Sequence, residues 1–387
     1  MCISAIFFRD ARRSGLWPDA QAPHRSALSK ARKQVAWEVF QEILHDAVRL
    51  AYELWPHDPL FTWHGMSVFA IDGSKYTLPA SDELRQEFDP TSGLHNAGKG
   101  HYPQCLVSTL YDVFRRLPLA RTVVGVNGSE REELADLLPF LPSNSVLLCD
   151  RGYPSYEIFR LLVKTFSGYF VFRCPASSTF PAVEAFVNSA KAEAIIWISP
   201  SNRALKNSTA RQRKHLKALK LRVILLKSPD GTLSVLITNI LNTVTFPRTE
   251  IIALYFDRWE VEAYYKDEKV TLEIERFHAR TSNGIRQELF AVTIMTVISR
   301  TMMTLATEQF LAAGQQCQFK NAILTLASEA AFLVPEHPER AVTIFQEALQ
   351  EMARVKYYPP KTPRRCQPRI NKHPPNKWST RNRQTAT

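Results

Sequence analysis

The chain has 387 residues, 45% of them apolar, and 49 Lys and Arg against 37 Asp and Glu give it a formal charge of +12. That apolar content excludes a disordered chain, and the length suffices for one large core with an added lobe or for two to three domains. The basic excess fits a polyanionic partner, nucleic acid being the commonest, although charge kept for solubility would read the same way.

Six cysteines (Cys2, Cys105, Cys149, Cys174, Cys317 and Cys366) are scattered without a CxxC pair, which argues against a disulfide framework or zinc ribbon and for a reducing, cytoplasmic setting. Residues 1–63 read as a helical N-terminal region. It is irregular and Arg-bearing at first, with MCISAIFF too short and too soon followed by charge for a signal peptide. From Ser26 an amphipathic helix begins, with Val35, Val39, Ile43 and Ala47 every fourth residue and Phe40, Leu44 and Val48 beside them; it ends before Pro56.

Residues 64–175 read as three strands, a helix, a strand, a helix and a strand. SVFAIDGSKYTLP closes an apolar run on Asp72 and Gly73; YPQCLVSTLYDVF and PLARTVVGV follow around a turn at Arg115–Pro118. GSEREELADLLPFL is a short helix whose acidic first turn suits the helix dipole. VLLCDRGYP is an apolar strand ending on Asp150, and SYEIFRLLVKT and GYFVFRCP give the last helix and strand. This order predicts a mixed sheet with helices on its faces.

Residues 176–245 break the alternation with AIIWISP, LRVILLK and LSVLITNI, a β-rich insertion whose stretch Arg203–Lys227 carries about nine basic residues and no acid. Helix returns over 246–310, where LFAVTIMTVISRTMMTLA, broken by Arg300, reads as a buried core helix rather than a membrane span. Residues 311–355 form a further helical region, and 356–387 a Pro-rich basic tail without any acid, expected to be extended.

An acid ending an apolar strand stands at the rim of a sheet, where ligands reach it. Singly, Asp72 or Asp150 is more often a cap or turn residue; two in one sheet fit the several oxygen ligands a divalent metal needs. The third element is YFDRWEVEAYYKDEK. Read as one helix, it puts Glu262 on a face with Tyr255, Arg258, Lys266 and Lys269. A solvated Arg258–Glu262 pair is the plain alternative, but Tyr255 and Trp259 interleave with the charges, and a metal-ligating Glu beside phosphate-holding cations accounts for the mixture better.

Asp112, mid-strand in TLYDVF, fits a pairing or edge role, and Glu260 and Glu268 turn away from the Tyr255–Lys269 stripe. His95, His101 and His278 show no zinc spacing, and GLHNAGKGH lacks the GKS/T of a phosphate loop, so it reads as a loop between the first two strands.

The pattern Tyr255-x2-Arg258-x3-Glu262-x6-Lys269 resembles the Tyr-Arg-Glu-Lys signature of the DDE transposases of bacterial insertion sequences, in the group with a β-strand insertion. AIDGSKYTLP and DRGYPSYEIF resemble the segments around that family's two Asp, and IERFHARTSNGIRQELFAVTIM and PRINKHPPNKW are similar downstream, so the resemblance spans roughly residues 24–378. Spacings of about 80 and then 110 residues between the three acids suit a core with an insertion before the Glu.

The resemblance implies an RNase H-like core, with Asp72, Asp150 and Glu262 as catalytic ligands of two Mg²⁺ ions for which Mn²⁺ can substitute. It implies that Tyr255, Arg258 and Lys269 hold transposon-end phosphates, with Lys266 on the same stripe. The implied activity is metal-dependent cleavage at terminal inverted repeats and strand transfer into target double-stranded DNA, by a homodimer on the DNA. In some relatives a Trp of the insertion stabilises a flipped base; Trp197 is the candidate, although its apolar neighbours favour a core strand. A nuclease of this fold that cuts without joining, and an inactive or truncated DNA-binding remnant, are the alternatives.

Overall fold

The computed structural model describes residues 24–55, 58–91, 102–206, 216–227, 231–329 and 338–359, with a few isolated positions besides. GLHNAGKGH with His95 and His101, most of residues 1–23, much of the basic run at 207–215, and the tail beyond residue 359 lie outside them. In chain order the elements are α1 (Arg25–Gln34), α2 (Glu38–Leu54), β1 (Ser67–Thr77), α3 (Asp82–Phe88), β2 (Gln104–Asp112), β3 (Leu117–Gly125), α4 (Glu130–Leu137), β4 (Ser145–Cys149), α5 (Tyr156–Thr165) and β5 (Tyr169–Pro175). There follow α6 (Pro181–Asn188), β6 (Glu193–Ile198), α7 (Asn202–Lys206), β7 (Leu219–Lys227), β8 (Leu233–Thr238), α8 (Arg248–Phe256), α9 (Trp259–Lys266), a π-helical turn Asp267–Thr271, α10 (Ser282–Phe310), β9 (Gln316–Cys317), α11 (Phe319–Glu329), α12 (Pro338–Arg354) and β10 (Lys356–Tyr357). The chain forms two compact units, residues 55–76 with 104–269, and the remainder.

The unit of residues 55–76 and 104–269 is built on one eight-stranded mixed sheet in the order β3-β2-β1-β4-β5-β8-β7-β6. β1, β4 and β5 run parallel, while β2 and β3 form an antiparallel pair. The first five strands thus form the mixed sheet that the chain order of strands and helices predicts. The strands read as an insertion do not leave this sheet: β8 pairs antiparallel with β5 and carries β7 and β6 outward. Central strands buried on both faces must be apolar throughout. β4 (SVLLC) is wholly buried, and so is every residue of β2 after Gln104. Asp112 closes β2 by accepting from the backbone N–H of Phe114 and Arg115, and its other oxygen pairs with the Arg115 guanidinium at 3.2 Å.

One buried polar cluster ties the helices after the sheet to its strands. Arg121 of β3 and Glu268 of the π-helical turn are both fully buried and 2.9 Å apart. Tyr264 donates to Glu268 at 2.5 Å and Tyr76 of β1 donates to its other oxygen. Glu268 is therefore an internal counter-charge, bound to Arg121, Tyr264 and Tyr76.

In the other unit α10 is the central element. It is long and apolar enough to cross a membrane by length and composition, but half of its most apolar stretch is buried. It packs on α2, α11 and α12, with Met302, Met303, Ala306, Leu326, Leu349 and Met352 in one cluster. The single N-terminal helix expected from periodicity is two helices. Asn283 and Gln287 of α10 accept from the Trp37 N–H and donate to the carbonyls of Arg32 and Val35, satisfying the backbone groups that a break exposes. Of the apolar stripe expected there, Leu44 is buried, together with Ala51, while Val35, Val39 and Ile43 are exposed.

Removing one partner of a fully buried pair strands the other charge, at a cost of about 3–5 kcal/mol. Arg121→Met is expected to lose that much stability in denaturant unfolding of the full chain, and the double variant Arg121→Met, Glu268→Leu to recover part of it.

Candidate active site

Parallel pairing of β1 with β4 ends at Ile71 opposite Cys149. The next residue on each strand is Asp72 and Asp150, so the register sets two carboxylates abreast, at about the 4.8 Å spacing of neighbouring strands. Asp72 does not end its strand as the apolar run predicts; β1 continues to Thr77, and only its pairing with β4 stops there.

Tyr265 of α9 fixes this point by donating to the Asp72 carbonyl at 2.6 Å and to the Val107 carbonyl of β2 at 3.2 Å. Asp150 accepts from the Gly152 N–H at 2.7 Å. Burial pushes the Asp72 carboxyl up to about 7; the Arg258 charge pulls it down, Asp150 and Glu130 push it up, and the Gly73 N–H opposes them.

Glu262 and its neighbours do not lie on one continuous helix. At Asp257, Arg258, Glu260 and Val261 the backbone N–H groups bond three residues back, which tightens the turn between α8 and α9, and Lys269 falls in the wide π-helical turn. Arg258, almost fully buried, donates to Glu262 at 2.9 Å, and its guanidinium carbon lies 5.8 Å from the Tyr255 ring centre and 5.9 Å from that of Trp259. Burial works against the Arg258 charge, but Tyr255, Glu262 and Asp72 hold its pKa above the ordinary value. Burial likewise pushes the Tyr255 phenol up to about 12, against the pull of Arg258. Arg258 is the cation that Asp72 and Glu262 share. Lys266 is exposed on α9, one turn beyond Glu262. Lys269 donates to the Ser74 hydroxyl at 2.7 Å and the Lys75 carbonyl at 2.6 Å, and so clamps the strand just past Asp72.

The structure also brings a residue to this place that the sequence reading left aside. Glu130, the first residue of α4, is half-buried against Gly73, and burial followed by the charge of Asp150 raises its carboxyl. Its signal in the sequence was the acidic first turn of GSEREELADL, which the helix dipole explains equally well. Trp197 is not in the core: it is 59% exposed on β6 at the end of the sheet, on the same face as exposed Ile195.

Carboxylate oxygens are the donors that hard divalent cations take, so this donor set fits Mg²⁺ or Mn²⁺ rather than a soft metal. Among the described residues no three Asp, Glu, His or Cys side chains already stand as a coordination sphere. Like charges repel, and Glu262 is held by Arg258, so the acids would have to converge on an ion.

Acids set just past the last paired residues of two parallel strands in a mixed sheet define an α/β protein with an oxygen-donor site. Residues 63–298, well over half of the chain, match the family described as "Transposase DDE domain", and the chain belongs to that family. It is 23% identical over 280 residues to the transposase InsG of insertion sequence element IS4 from Escherichia coli (strain K12), a match covering 72% of this chain and 61% of that protein. It is 28% identical over 139 residues to the putative transposase InsZ of the same organism, covering 35% of this chain and 44% of that one. The chain thus spans less than two thirds of the length of these relatives. A solved structure of the piggyBac transposase synaptic complex with hairpin DNA is similar at a TM-score of 0.41 and 11% identity, over 94% of this chain and 73% of that one.

A free aspartate titrates near 4. Between about pH 4 and 7 the folded protein keeps on Asp72 a proton that the unfolded chain gives up, so stability falls as pH rises through that window. The contribution is fully present below about pH 4, is gone above about pH 7, and amounts to roughly 4 kcal/mol at most. Melting of the protein in chelator across this range is expected to show the decline, and Asp72→Asn to flatten it.

Proposed function

We propose that this protein is a DNA transposase that cleaves at the ends of an insertion sequence and transfers the cut strands to target DNA. The single observation that carries this reading is the register of β1 on β4, which sets Asp72 and Asp150 abreast at the ends of their pairing. Asp72, Asp150 and Glu262 would hold two Mg²⁺ ions, with Mn²⁺ able to substitute. Such ions, when bound, activate a water or a DNA 3′-OH for in-line attack and stabilise the leaving oxygen.

The chain's own residues do the rest. Arg258 holds Glu262 at 2.9 Å. A DNA phosphate entering beside Arg258 competes for that guanidinium, because the fork of N–H groups that binds a carboxylate binds phosphate equally well, and so frees Glu262 to join the two aspartates. Tyr255 orients Arg258 through its ring face, and exposed Lys266 reaches the same backbone. Lys269 keeps β1 in place through Ser74 and Lys75 while its charge faces the phosphates. Trp197, exposed, is available for stacking on a displaced base. The substrate is double-stranded DNA, both the terminal inverted repeats and the target, and synapsis of two ends calls for a homodimer, acting in the cytoplasm at the nucleoid.

Asp150→Asn is expected to lower cleavage in Mg²⁺ or Mn²⁺ by at least about 100-fold while DNA binding stays near wild type, because one ligand goes and the basic surface remains. Full cleavage by this variant would sink the triad. Binding without cleavage by the wild type would favour the remnant reading, and cleavage without joining of pre-cut ends the nuclease reading. Removing residues 360–387, which carry eight Lys and Arg and no acid, is expected to weaken binding and lower the salt slope by about one or more. An unchanged slope would mean that the tail does not touch DNA.

A further inference from the structure

The metal reading above uses three acids, and the fold brings a fourth to two of them. A Cβ on Gly73 would stand 2.6 Å from Glu130 Oε1, and one on Gly152 would stand 3.0 Å from Asp150 Oδ1 and 3.9 Å from Glu130 Oε2. Neither glycine has a positive φ. What they supply is space, and at Gly73 the space is filled by the side chain of Glu130. Asp72 and Asp150 are each followed within two residues by a glycine that clears a path to the same third carboxylate.

Glu130 receives little in return from the protein. Among the described residues its carboxylate has no donor or cation at bonding distance, and Lys75 acts on it only through space. A helix-terminal acid gains about 0.3–1 kcal/mol from the dipole, but Glu132 and Glu133 in the same turn supply that gain without crowding Asp150.

A second observation points to the same spot. The phenol of Tyr153, three residues past Asp150, is fully buried, and its oxygen has no hydrogen-bond partner among the described residues. It lies within electrostatic reach of Cys149, Glu130 and Asp72. An unpaired buried hydroxyl is costly, and one with no protein acceptor among the described residues keeps its proton for a ligand or water.

We propose that Glu130 is a fourth carboxylate ligand of the divalent-metal site, binding Mg²⁺ or Mn²⁺ together with Asp72 and Asp150, with Tyr153 donating to the water the ion carries. This rests on the metal reading of Asp72 and Asp150, and the test keeps the two separable.

The full chain is titrated with Mn²⁺ alone, free Mn²⁺ being followed by electron paramagnetic resonance, and its melting temperature is recorded with Mn²⁺ and with chelator. Glu130→Gln is expected to weaken Mn²⁺ binding by about tenfold or more, and Glu130→Asp to restore much of it. In chelator Glu130→Gln is expected to melt at or above the wild-type temperature, since a repelling charge is gone, and to lose the rise that Mn²⁺ gives the wild type. A residue needed only for the fold would instead lower the melting temperature in chelator and leave Mn²⁺ affinity unchanged. If Glu130→Gln does not fold, Glu130→Ala takes its place with the same expectations. Wild-type Mn²⁺ affinity in Glu130→Gln alongside its loss in Asp150→Asn would overturn the role of Glu130 and leave the triad standing. Absence of Mn²⁺ binding by the wild type, or binding unaffected by Asp150→Asn, would overturn both.

Discussion

Two parallel strands in register force two carboxylates together, and the surroundings are arranged about that repulsion. Asp72 and Asp150 follow the last paired residues of β1 and β4. Each is anchored by the paired residue before it, and Asp72 is also pinned through its own carbonyl by Tyr265. A buried carboxylate beside another is costly unless a positive charge is near. The protein supplies Arg258, which acts on Asp72 and bonds Glu262, so one guanidinium balances charge on both acids.

The elements around the site serve that placement. β2 and β3 cover one side of β1, and Arg121 with Glu268, Tyr264 and Tyr76 locks the turn after α9 to those strands from inside. Lys269 follows Glu268 directly, and the same turn that buries the acid delivers the lysine to Ser74 and Lys75. The acid of a buried ion pair and the lysine that clamps β1 are therefore consecutive residues, which ties the stability of this unit to the geometry beside Asp72.

Much of this was legible in the residues. Apolar runs before Asp72 and Asp150 gave two strands of one sheet, and the spacing of Tyr255, Arg258, Glu262 and Lys269 singled out a segment in which Arg258 bonds Glu262 and Lys269 clamps β1. Helical periodicity could not show the tight turn at Asp257–Arg258 or the wide one at Asp267–Thr271, because both depend on backbone bonds rather than on side-chain pattern. The apolar neighbours of Trp197 read as core, yet β6 is the last strand of its sheet, and Trp197 shares with Ile195 a face that is largely exposed. Val39 and Ile43 misled in the same way: periodicity finds an apolar stripe on a helix but not which stripe is covered. Glu130 was hidden by an adequate local explanation, the helix dipole, and only the fold sets it against Gly73.

The central claim, that the ends of the β1–β4 pairing hold a divalent ion, is tested most directly by putting a cutting ion there. Fe²⁺ with ascorbate and peroxide cleaves a polypeptide beside the metal it occupies, and fragments of the full chain can be mapped by mass spectrometry. The account predicts cuts near Asp72–Ser74 and Asp150–Gly152, suppressed by excess Mg²⁺ and absent in Asp72→Asn. Cuts confined to other segments, or unchanged by Mg²⁺ and by that substitution, would contradict it.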